Sequence, residues 1–598
     1  MNMKSSKIFF ILSFLLIPIS SLSEDEDLIN LSDYKFPVKT SSDKLIRIAI
    51  LGTNDFHGGI FPTQFADSKN KRFPNGGAVN LFSYAQILKK QWGNQFLWLD
   101  GGDQFQGTME CMLSDCSIMK DYFNYAGLDG IGLGNHDFDY GLDYLRTFIQ
   151  NQKYPVLVAN IKLANGKYLY EEWENVKAYK VYEFDTAPKI KIGVIGLATK
   201  TSPSQTSTDI SDLTFEDYLT VTKKWESYLR NTEKVDAVLL LTHFGPKCDN
   251  DVEEKMKLQM REPTTSQRSC DENEEIMSFL AQIKKEGIQI DGVIAAHVHD
   301  VAHHWISDIP VIESSGSDYF NVLYLPFKEN KVGTVTIQTK KVSIEGPVPV
   351  CEKLWPDTKN CEYRYEDSSI MQEFIFHDSD IILDEELSNI LSYWRNIIDT
   401  KVKNDICEVK DEMFLDDIKE TLLTNFVNDV GRIITESDIC FFNLGGIRST
   451  WHKGSINELD LFRMFPFNNT WVRFEMTGEE VYHMFQNLAY SVIYPSSGTI
   501  QTFKYSNSIY TMKNILIFDG EEEKPLEPNK MYKVCTNDFL ANGGSGMGNV
   551  RKWYKDLRNP KDFGIIRELM YKFLKNVKPI TKEKFVDENY PRITIESY

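Results

Sequence analysis

The sequence predicts a two-domain α/β protein, and three observations indicate this class. From about Leu45 to about Thr339, short apolar runs typical of buried strands alternate with segments of helical spacing, as in a layered α/β domain. A second set of helical and strand-like segments, with Gly-rich turns, follows from about Asn404 to about Tyr590. At 598 residues, the chain is also too long for one ordinary hydrophobic core.

The N-terminus has the features of a signal peptide. Lys4 and Lys7 precede an apolar run at residues 8–19, and small residues follow up to Ser23. We therefore expect residues 1–23 to be cleaved and the mature protein to be secreted. A membrane anchor is the alternative, but the run is short for a membrane span. No other segment is long and apolar enough, and the C-terminus lacks a lipid-anchor signal, so we expect no stable membrane anchor.

The charge of the chain restricts its partners. A formal net charge of −20 argues against a nucleic acid polymer, because phosphate backbones are bound by clustered Lys and Arg side chains. A small anionic substrate stays compatible with this charge, since bound metal ions dominate the field around them. The oligomeric state cannot be read from the sequence.

Nine cysteines in an exported chain suggest disulfide bonds. The candidates are the close pairs Cys111/Cys116, Cys248/Cys270 and Cys351/Cys361. The odd number leaves at least one cysteine without a partner in the same chain, and the sequence does not assign Cys407, Cys440 or Cys535.

Five apolar runs of the first domain each lead into residue types that bind metals. The pairs of run and loop are Ile46–Leu51 with Asn54-Asp55-Phe56-His57-Gly58, Phe96–Leu99 with Asp100-Gly101-Gly102-Asp103, Gly130–Leu133 with Gly134-Asn135-His136-Asp137-Phe138-Asp139, Val238–Leu241 with Thr242-His243-Phe244-Gly245, and Val293–Ala296 with His297-Val298-His299-Asp300. Loops at the carboxyl ends of strands can converge on one site, so we expect a metal centre. Asp, His and Asn ligands without thiolate suit Zn, Mn, Mg or Co, and two ions bridged by a carboxylate commonly hydrolyse phosphate esters.

The remaining elements are predicted from periodicity and turn residues. Helices are expected at Asn80–Gln91, Ser117–Ala126, Phe215–Arg230, Asn273–Glu286 and Asp417–Val430, with a largely helical connecting stretch from Tyr365 to about Val402. Further strands are expected at Pro155–Ala159, Ile190–Leu197, Val332–Gln338, Lys341–Ile344, Ile439–Asn443, Trp471–Met476 and Tyr532–Thr536. These elements place the domains at residues 45–345 and 404–590, joined by a linker at 346–403.

Two Gly-rich turns of the second domain carry side chains suited to ligand binding. The turn at residues 443–449 offers backbone amides, Asn443 and the guanidinium of Arg448, which suit an anion. The turn at residues 537–546 places Phe539 beside flexible glycines. Taken alone, each is better explained as a plain turn than as a binding site.

In this order, along nearly the whole mature chain, these motifs resemble those of the 5′-nucleotidase family. That family includes ecto-5′-nucleotidases, periplasmic nucleotide and UDP-sugar hydrolases, and secreted apyrases. The resemblance implies an N-terminal four-layer α/β/β/α calcineurin-like metallophosphoesterase domain with two divalent ions. It also implies a C-terminal α/β domain that binds the nucleotide and swings it to the metals. Zn is the expected metal, and Mn, Mg, Co or Ca are alternatives.

The resemblance also implies a role for individual residues. One ion would be bound by Asp55, His57, Asp103 and His299, and the other by Asp103, Asn135, His243 and His297, so that Asp103 bridges them. His136 would stabilise the transition state, with Asp139 fixing its imidazole and favouring the charged form. In the second domain, the residues implied to bind substrate are Asn443 and Arg448, for base and phosphate, and Phe467 and Phe539, which would sandwich the base.

Two positions depart from the family pattern. Asp417 lies in the stretch where a phosphate-binding arginine is expected, and Ser545 replaces the acidic residue that binds the ribose hydroxyls. A hydrogen bond to a charged group contributes about 1.5–3 kcal/mol, so we expect weaker nucleotide binding.

The preferred hypothesis is a secreted, metal-dependent hydrolase of extracellular nucleotides, acting as a 5′-nucleotidase or as an apyrase on AMP, ADP or ATP. One alternative is a family member that binds nucleotides or a protein and has lost catalysis, which the residues Asp417 and Ser545 favour. Another is a hydrolase of UDP-sugars or of some other phosphoester. Retention of all seven metal-ligand positions together with His136 and Asp139 favours an enzyme.

Overall fold

The structure is a computed structural model whose described residues begin at Leu45 and end at Ser597. The residues that it describes are 45–66, 72–206, 208–248, 258–264, 270–330, 334–361, 366–400, 405–416, 420–489, 493–506, 509–518, 522–544, 547, 557–577, 579–587 and 590–597. The predicted signal peptide at residues 1–23, Asp417 and Ser545 lie outside the described residues.

Two β-sheets pack face to face in the N-terminal half. Among the described residues, the larger sheet has nine strands, in the spatial order Gln259–Arg261, Ser343–Pro349, Tyr319–Glu329, Ile46–Thr53, Phe96–Asp100, Gly130–Ile131, Val156–Leu157 and Val176–Lys177, with Val335–Ile337 beside Tyr319–Glu329. The described part of the smaller sheet has six, in the order Ala302–Ile306, Ile309–Glu313, Gly292–Ala295, Ala237–Thr242, Ile190–Leu197 and Tyr179–Phe184. Ile48 and Leu99 of the larger sheet meet Val194 and Leu239 of the smaller one in the core between them.

Helices cover the outer faces of both sheets. Ala78–Trp92, Ser117–Ala126 and Leu142–Gln150 pack on the larger sheet, and Tyr218–Tyr228 and Glu275–Glu286 pack on the smaller one. The layer order is therefore α/β/β/α, which confirms the predicted fold class. The shorter helices of this half are Met109–Leu113 and Leu169–Glu172.

The helix Glu275–Glu286 illustrates why these segments are helical. It buries Ile276, Phe279, Leu280 and Ile283, whose spacing places them on one helical face. It ends at Gly287, which has a φ of 69°, a left-handed conformation that glycine adopts without steric cost. The apolar face packs against the smaller sheet and so fixes the strand Gly292–Ala295 that follows.

The C-terminal half is built around a second mixed sheet. Its described strands, in spatial order, are Ser496–Ser497, Ile439–Phe441, Met531–Asn537, Thr470–Thr477 and Arg558–Ile565. One face is covered by the helices Leu422–Thr435 and Ile566–Asn576. The other face packs on Gly478–Leu488 and on a sheet of Glu523–Pro525, Ile509–Phe518, Thr499–Ser506 and Ile593–Ser597. The short helix Glu458–Met464 precedes the loop whose Phe467 contacts His136 of the N-terminal half, and a second short helix is Asp538–Ala541.

The connecting stretch is helical only in part, which corrects the prediction for residues 365–402. The helix runs from Glu385 to Asp399. It begins there because the carboxylate of Asp384 accepts a hydrogen bond from a backbone N–H of the first turn and caps the helix. Residues 375–380 form a short hairpin instead, so the apolar residues before Asp384 do not belong to the helix.

Other boundaries are close to their predictions. The helix Ser117–Ala126 and the strand Ile190–Leu197 have the predicted ends. The helix predicted from Asp417 begins at Leu422, because Thr421 caps it and pairs reciprocally with Thr424. Within the described residues, no helix is both long and apolar enough to cross a bilayer.

Four cysteine pairs lie at disulfide distance. They are Cys111/Cys116, Cys248/Cys270 and Cys351/Cys361, as predicted, and Cys440/Cys535. The fourth pair joins neighbouring strands of the C-terminal sheet, where the two cysteines are in register. Cys407 is buried outside these pairs.

Candidate active site

The five loops predicted to bind metal converge at one edge of the two sheets. Three of them follow strands of the larger sheet, namely Ile46–Thr53, Phe96–Asp100 and Gly130–Ile131, which run parallel to one another. The other two follow Ala237–Thr242 and Gly292–Ala295 of the smaller sheet, which are also parallel. The carboxyl ends of all five strands thus open on one cleft, as expected for ligand sites in α/β proteins.

Six of the seven predicted ligands form two adjacent groups. The first group is Asp55, His57 and His299, and the second is Asp103, His243 and His297; within each, the ligand atoms lie within 4.8 Å of one another. The Oδ2 atom of Asp103 lies 3.1 Å from Nε2 of His243 and 3.7 Å from Nε2 of His57. Asp103 therefore faces both groups, which is the position that a bridging ligand requires.

The backbone fixes the orientation of two of the imidazole rings. Nδ1 of His57 donates to the carbonyl of Phe105 at 3.0 Å, and Nδ1 of His243 donates to the carbonyl of Gly101 at 2.9 Å. Because a carbonyl only accepts, Nδ1 carries a hydrogen in both rings, and in the neutral form of each ring the lone pair of Nε2 is directed into the site. Nε2 of His57 also lies 3.1 Å from Nε2 of His299, so two ligand atoms converge there.

Buried polar atoms without partners show that the site fits divalent cations. Oδ1 of Asp55, Oδ2 of Asp103, Oδ1 of Asn135 and Nε2 of His243 are buried and, among the described residues, have no hydrogen-bond partner. The second carboxylate oxygens of Asp55 and Asp103 do accept hydrogen bonds, from the backbone N–H groups of His297 and His136, both at 2.8 Å. Such orphaned acceptors are rare in proteins, and this set of oxygen and nitrogen donors is typical of a divalent ion site.

The electrostatics of the cluster also favour a cation. Burial lowers the pKa of His243, but Asp103 and Asp55 raise it more strongly, to about 10. Burial opposes ionisation of Asp103, yet the neighbouring histidines bring its pKa well below the usual range. The two carboxylates therefore stay ionised and attract positive charge into the cleft.

Five of the seven predicted ligands have left-handed backbone conformations. The φ angles are 54° for Asp55, 47° for His57, 58° for Asp103, 87° for His297 and 58° for His299. Positive φ is uncommon outside glycine and costs of order 1–3 kcal/mol per residue. Such strain persists where the surrounding structure enforces it, typically at functional sites.

Asp137 is a site residue to which the sequence analysis gave no role. It is fully buried, and its carboxylate accepts hydrogen bonds from the backbone N–H groups of Gly134 at 2.9 Å, Asp103 at 3.0 Å and Gln104 at 2.9 Å. These bonds join the loop after Phe96–Asp100 to the loop after Gly130–Ile131. Asp137 is therefore a scaffold for Asp103, although its position in the sequence motif looks the same as that of a ligand.

Asn54 has a similar supporting role on the other side of the site. Its Nδ2 donates to the carboxylate of Asp55 at 2.6 Å and to the carbonyl of Ser314 at 2.9 Å. Its Oδ1 accepts from the backbone N–H of Ser314 at 2.6 Å. Asn54 thus couples the first ligand loop to the strand edge of the smaller sheet.

His136 and Asp139 form the pair expected from the sequence. Nδ1 of His136 lies 2.7 Å from Oδ2 of Asp139, and Thr206 donates to the other oxygen of Asp139 at 2.8 Å. Burial lowers the pKa of His136, but Asp139 and Asp103 raise it by a larger amount, so the net shift of the pKa is upward. The ring is therefore held with Nε2 available as a donor.

Two of the predicted substrate residues lie directly against this cluster. Nη2 of Arg448 is 3.0 Å from Nε2 of His299. The ring of Phe467 stacks on the ring of His136, with centroids 5.6 Å apart and planes 28° apart. The C-terminal half thus closes over the groups that bear the predicted ligands.

The other two described substrate residues are linked to each other. Oδ1 of Asn443 accepts from Nδ2 of Asn537 at 2.7 Å, and Asn537 caps the short helix that carries Phe539. A Cβ on Gly544 would lie 2.4 Å from ring carbons of Phe539, so a larger residue there would displace this ring. The Gly-rich turn is therefore shaped around an aromatic side chain.

Comparisons with known proteins show what the whole chain is similar to. Residues 405–552 match the family described as 5′-nucleotidase, C-terminal domain. The chain is 24% identical to an apyrase of Tabanus yao, over 91% of this chain and 94% of the relative. It is also 24% identical to protein UshA of Escherichia coli, over 84% of this chain and 87% of the relative.

Solved structures show the same fold. The 5′-nucleotidase precursor of Thermus thermophilus is similar over 92% of this chain and 99% of its own, with a TM-score of 0.69 at 18% identity. Fold and site together define a two-domain α/β phosphoester hydrolase. The match of residues 405–552 and the similarity to these relatives confirm the resemblance to the 5′-nucleotidase family that the motifs predicted.

Proposed function

We propose that this protein is a secreted, metal-dependent hydrolase that releases phosphate from extracellular nucleoside 5′-phosphates. The observation that carries the proposal is the set of four buried ligand atoms without hydrogen-bond partners, located where five loops converge. The relatives support nucleotides as substrates, because they include an apyrase and a 5′-nucleotidase of Mus musculus. Secretion is supported by the N-terminal sequence pattern and by four cysteine pairs at disulfide distance, which are typical of exported proteins.

The proposed metal centre has two ions, with Zn preferred and Mn, Mg, Co or Ca as alternatives. Asp55, His57 and His299 would hold one ion, His243, His297 and Asn135 the other, and Asp103 would contribute to both. When bound, such ions polarise a phosphoryl group and lower the pKa of a water molecule. Asp137 and Asn54 would keep Asp103 and Asp55 in place.

His136 would stabilise negative charge on the phosphoryl oxygens. Asp139 accepts from Nδ1, which orients the ring and favours its protonated form, so Nε2 can donate to an oxygen as charge develops there. Thr206 holds Asp139 in turn, so the donor is in position before substrate arrives. Preorganisation of this kind spares the cost of reorienting groups during the reaction.

The C-terminal half would position the nucleotide. Arg448 can donate two parallel hydrogen bonds to a phosphate from its location beside His299. Phe467 and Phe539 would stack on the base, and Asn443 would contact it. Because Asp417 and Ser545 replace an arginine and an acidic residue of the family pattern, Arg448 would carry more of the recognition of substrate.

Phosphate release by the purified protein tests this proposal. AMP, ADP, ATP and UDP-glucose are compared with and without chelator, and activity is then restored with Zn, Mn, Mg, Co or Ca. Chelator-sensitive release from AMP alone would indicate a 5′-nucleotidase, and release from ADP and ATP an apyrase-type enzyme. Release only from UDP-glucose would favour a UDP-sugar hydrolase. Absence of release from all four, with metal shown to be bound, would refute nucleotide hydrolysis and favour a binding function.

A further inference from the structure

The loop at residues 465–468 is held by a single side chain from another helix. Nη1 of Arg567 donates to the carbonyl oxygens of Phe465 at 2.7 Å, Pro466 at 3.2 Å and Phe467 at 3.2 Å. Nη2 of Arg567 donates to Oδ1 of Asn468 at 2.8 Å. One guanidinium thus binds four consecutive residues of the loop that carries Phe467.

The arrangement depends on a cation with several donors. Three successive carbonyl dipoles converge on one point, which is unfavourable unless positive charge lies there. Arginine suits this role because its planar guanidinium has five donors in fixed directions, whereas lysine offers a compact point charge. Burial lowers the pKa of Arg567 to about 10, so the group stays protonated at neutral pH. The ring of Phe462 lies 4.2 Å from the guanidinium carbon and supports it from one face.

Arg567 is itself held on a rigid element. It lies in the first turn of the helix Ile566–Asn576, which buries Ile566, Met570 and Leu574 in the core of the C-terminal half. The backbone N–H of Ile566 also donates to the carbonyl of Asn469 at 2.9 Å. The position of the loop is therefore set by the helix through both backbone and side chain.

The same loop is tied to the second aromatic residue of the proposed base site. Oδ1 of Asp538 accepts from Nδ2 of Asn469 at 2.7 Å and from the backbone N–H of Thr470 at 3.1 Å. It also accepts from the backbone N–H of Phe539 at 2.9 Å. Phe467 and Phe539 therefore belong to one connected network, in which Arg567 binds the Phe467 side.

We propose that Arg567 is a positioning residue for the nucleobase. By fixing the loop at residues 465–468, it holds the ring of Phe467 at the mouth of the cleft, where that ring stacks on His136. Arg567 then determines mainly the affinity for substrates that carry a base. Phosphoesters without a base depend on Phe467 only through its stacking on His136, so Arg567 affects them much less. This inference rests on the proposed function, because it assigns a role within the same site.

The test compares R567M and R567K with the wild type. K572M is the matched control, because Lys572 is an exposed cation on the same helix. The substrates are AMP and ribose 5-phosphate, which differ only in the base. Adenosine binding to chelator-treated protein is measured by calorimetry, so that one readout does not depend on hydrolysis.

We expect R567M to raise KM for AMP and Kd for adenosine by about tenfold, within the range measured for loss of one base-stacking contact. The value of kcat/KM for ribose 5-phosphate should change by less than about twofold. This corresponds to a free-energy difference of under about 0.5 kcal/mol, because 1.4 kcal/mol corresponds to a factor of ten. R567K should lie between R567M and the wild type, since it keeps the charge but not the planar pair of donor groups Nη1 and Nη2, and K572M should match the wild type. In the F467A background, R567M should have no further effect on adenosine binding, because Arg567 acts through Phe467.

Other outcomes would overturn the inference. Equal losses of R567M on AMP and ribose 5-phosphate would show a general structural role, as would a full additional loss in the F467A background. Unchanged adenosine binding in R567M would also contradict it. Hydrolysis of ribose 5-phosphate without hydrolysis of AMP or binding of adenosine by the wild type would instead refute the proposed nucleotide function. Thermal unfolding of each variant identifies losses that arise from misfolding, and R567K supplies a milder variant in that case.

Discussion

Arg448, in the C-terminal half, places Nη2 3.0 Å from Nε2 of His299, in the N-terminal half. The same imidazole nitrogen lies 3.7 Å from Oδ1 of Asp55 and 3.1 Å from Nε2 of His57. The guanidinium therefore contacts the group that would bind the first ion. A phosphate bound at the ions would lie within reach of Arg448, so this contact joins substrate recognition to the proposed metal centre.

Replacing Arg448 should weaken substrate binding without removing metal. We expect R448M to lower kcat/KM for AMP by about 10–100-fold, since a hydrogen bond to a charged group contributes about 1.5–3 kcal/mol. Metal content, measured by mass spectrometry of the purified protein, should be unchanged. R146M is the control, because Arg146 is exposed on another helix. A loss of metal in R448M would show that Arg448 supports the ligands instead of the substrate.

Removing a ligand should have a larger effect. His243 is fully buried, and its Nε2 faces Asp103 at 3.1 Å. Residues that only hydrogen-bond to metal ligands typically change activity by about 10–100-fold when they are mutated. We expect H243N to reduce the rate of phosphate release by more than this, and to reduce the amount of metal bound per chain. H483N is the matched control, because His483 is a half-exposed histidine of the C-terminal half. Full activity of H243N would be incompatible with a ligand role.

Asp100 predicts a specific dependence of stability on pH. Burial raises the pKa of this carboxyl from 3.8 to about 7, although hydrogen bonds from Thr53 and Gly102 oppose the shift. Between these values the folded state keeps a proton that the unfolded chain releases, so stability falls as the pH rises through this window. We expect the Tm of chelator-treated D100N to fall less than that of the wild type between about pH 4 and pH 7. D185N, at an exposed aspartate, should keep the slope of the wild type.

The ion pair between Glu110 and Arg463 predicts a stability effect across the two halves. Glu110 is only 2% exposed, and its Oε1 lies 3.6 Å from Nη2 of Arg463. R463M leaves this buried carboxylate without its cation, which should cost about 1–3 kcal/mol in thermal unfolding. The double variant E110Q/R463M should recover part of the loss.

The exposed pair of Lys223 and Glu286 gives the matched control for that ion pair. Their charged atoms lie 3.1 Å apart, and K223M should cost less than about 1 kcal/mol because exposed ion pairs contribute little. If R463M were as stable as K223M, the contact between the halves would have no energetic role.

The sequence predicts the ligand loops well for a physical reason. A short apolar run bounded by turn residues favours a buried strand, and a polar side chain directly after such a strand lies at the edge of the sheet. His243 and Asp103 could therefore be placed in one cleft before any coordinates were known. Some ends of helices could also be predicted for local reasons. An example is the end at Gly287, because glycine commonly terminates a helix.

The sequence does not distinguish a ligand from a scaffold. Asp137 and Asp103 both follow strands of the same sheet, and only their hydrogen bonds show that one carboxylate accepts three backbone N–H groups while the other keeps a bare oxygen. Contacts between distant segments are equally inaccessible. Arg567 is 100 residues from Phe467, and Cys440 is 95 residues from Cys535, so no local pattern links them.

Ion binding by the chelator-treated protein shows whether the two groups of ligands hold metal. Zn is titrated into wild type and D103N in a calorimeter, and the bound metal is counted after desalting. We expect two ions per wild-type chain, a higher Tm on binding, and loss of tight binding in D103N, because Asp103 faces both groups of ligands. A wild-type chain that binds no Zn, Mn, Mg, Co or Ca, or a D103N chain that binds as well as the wild type, would contradict it.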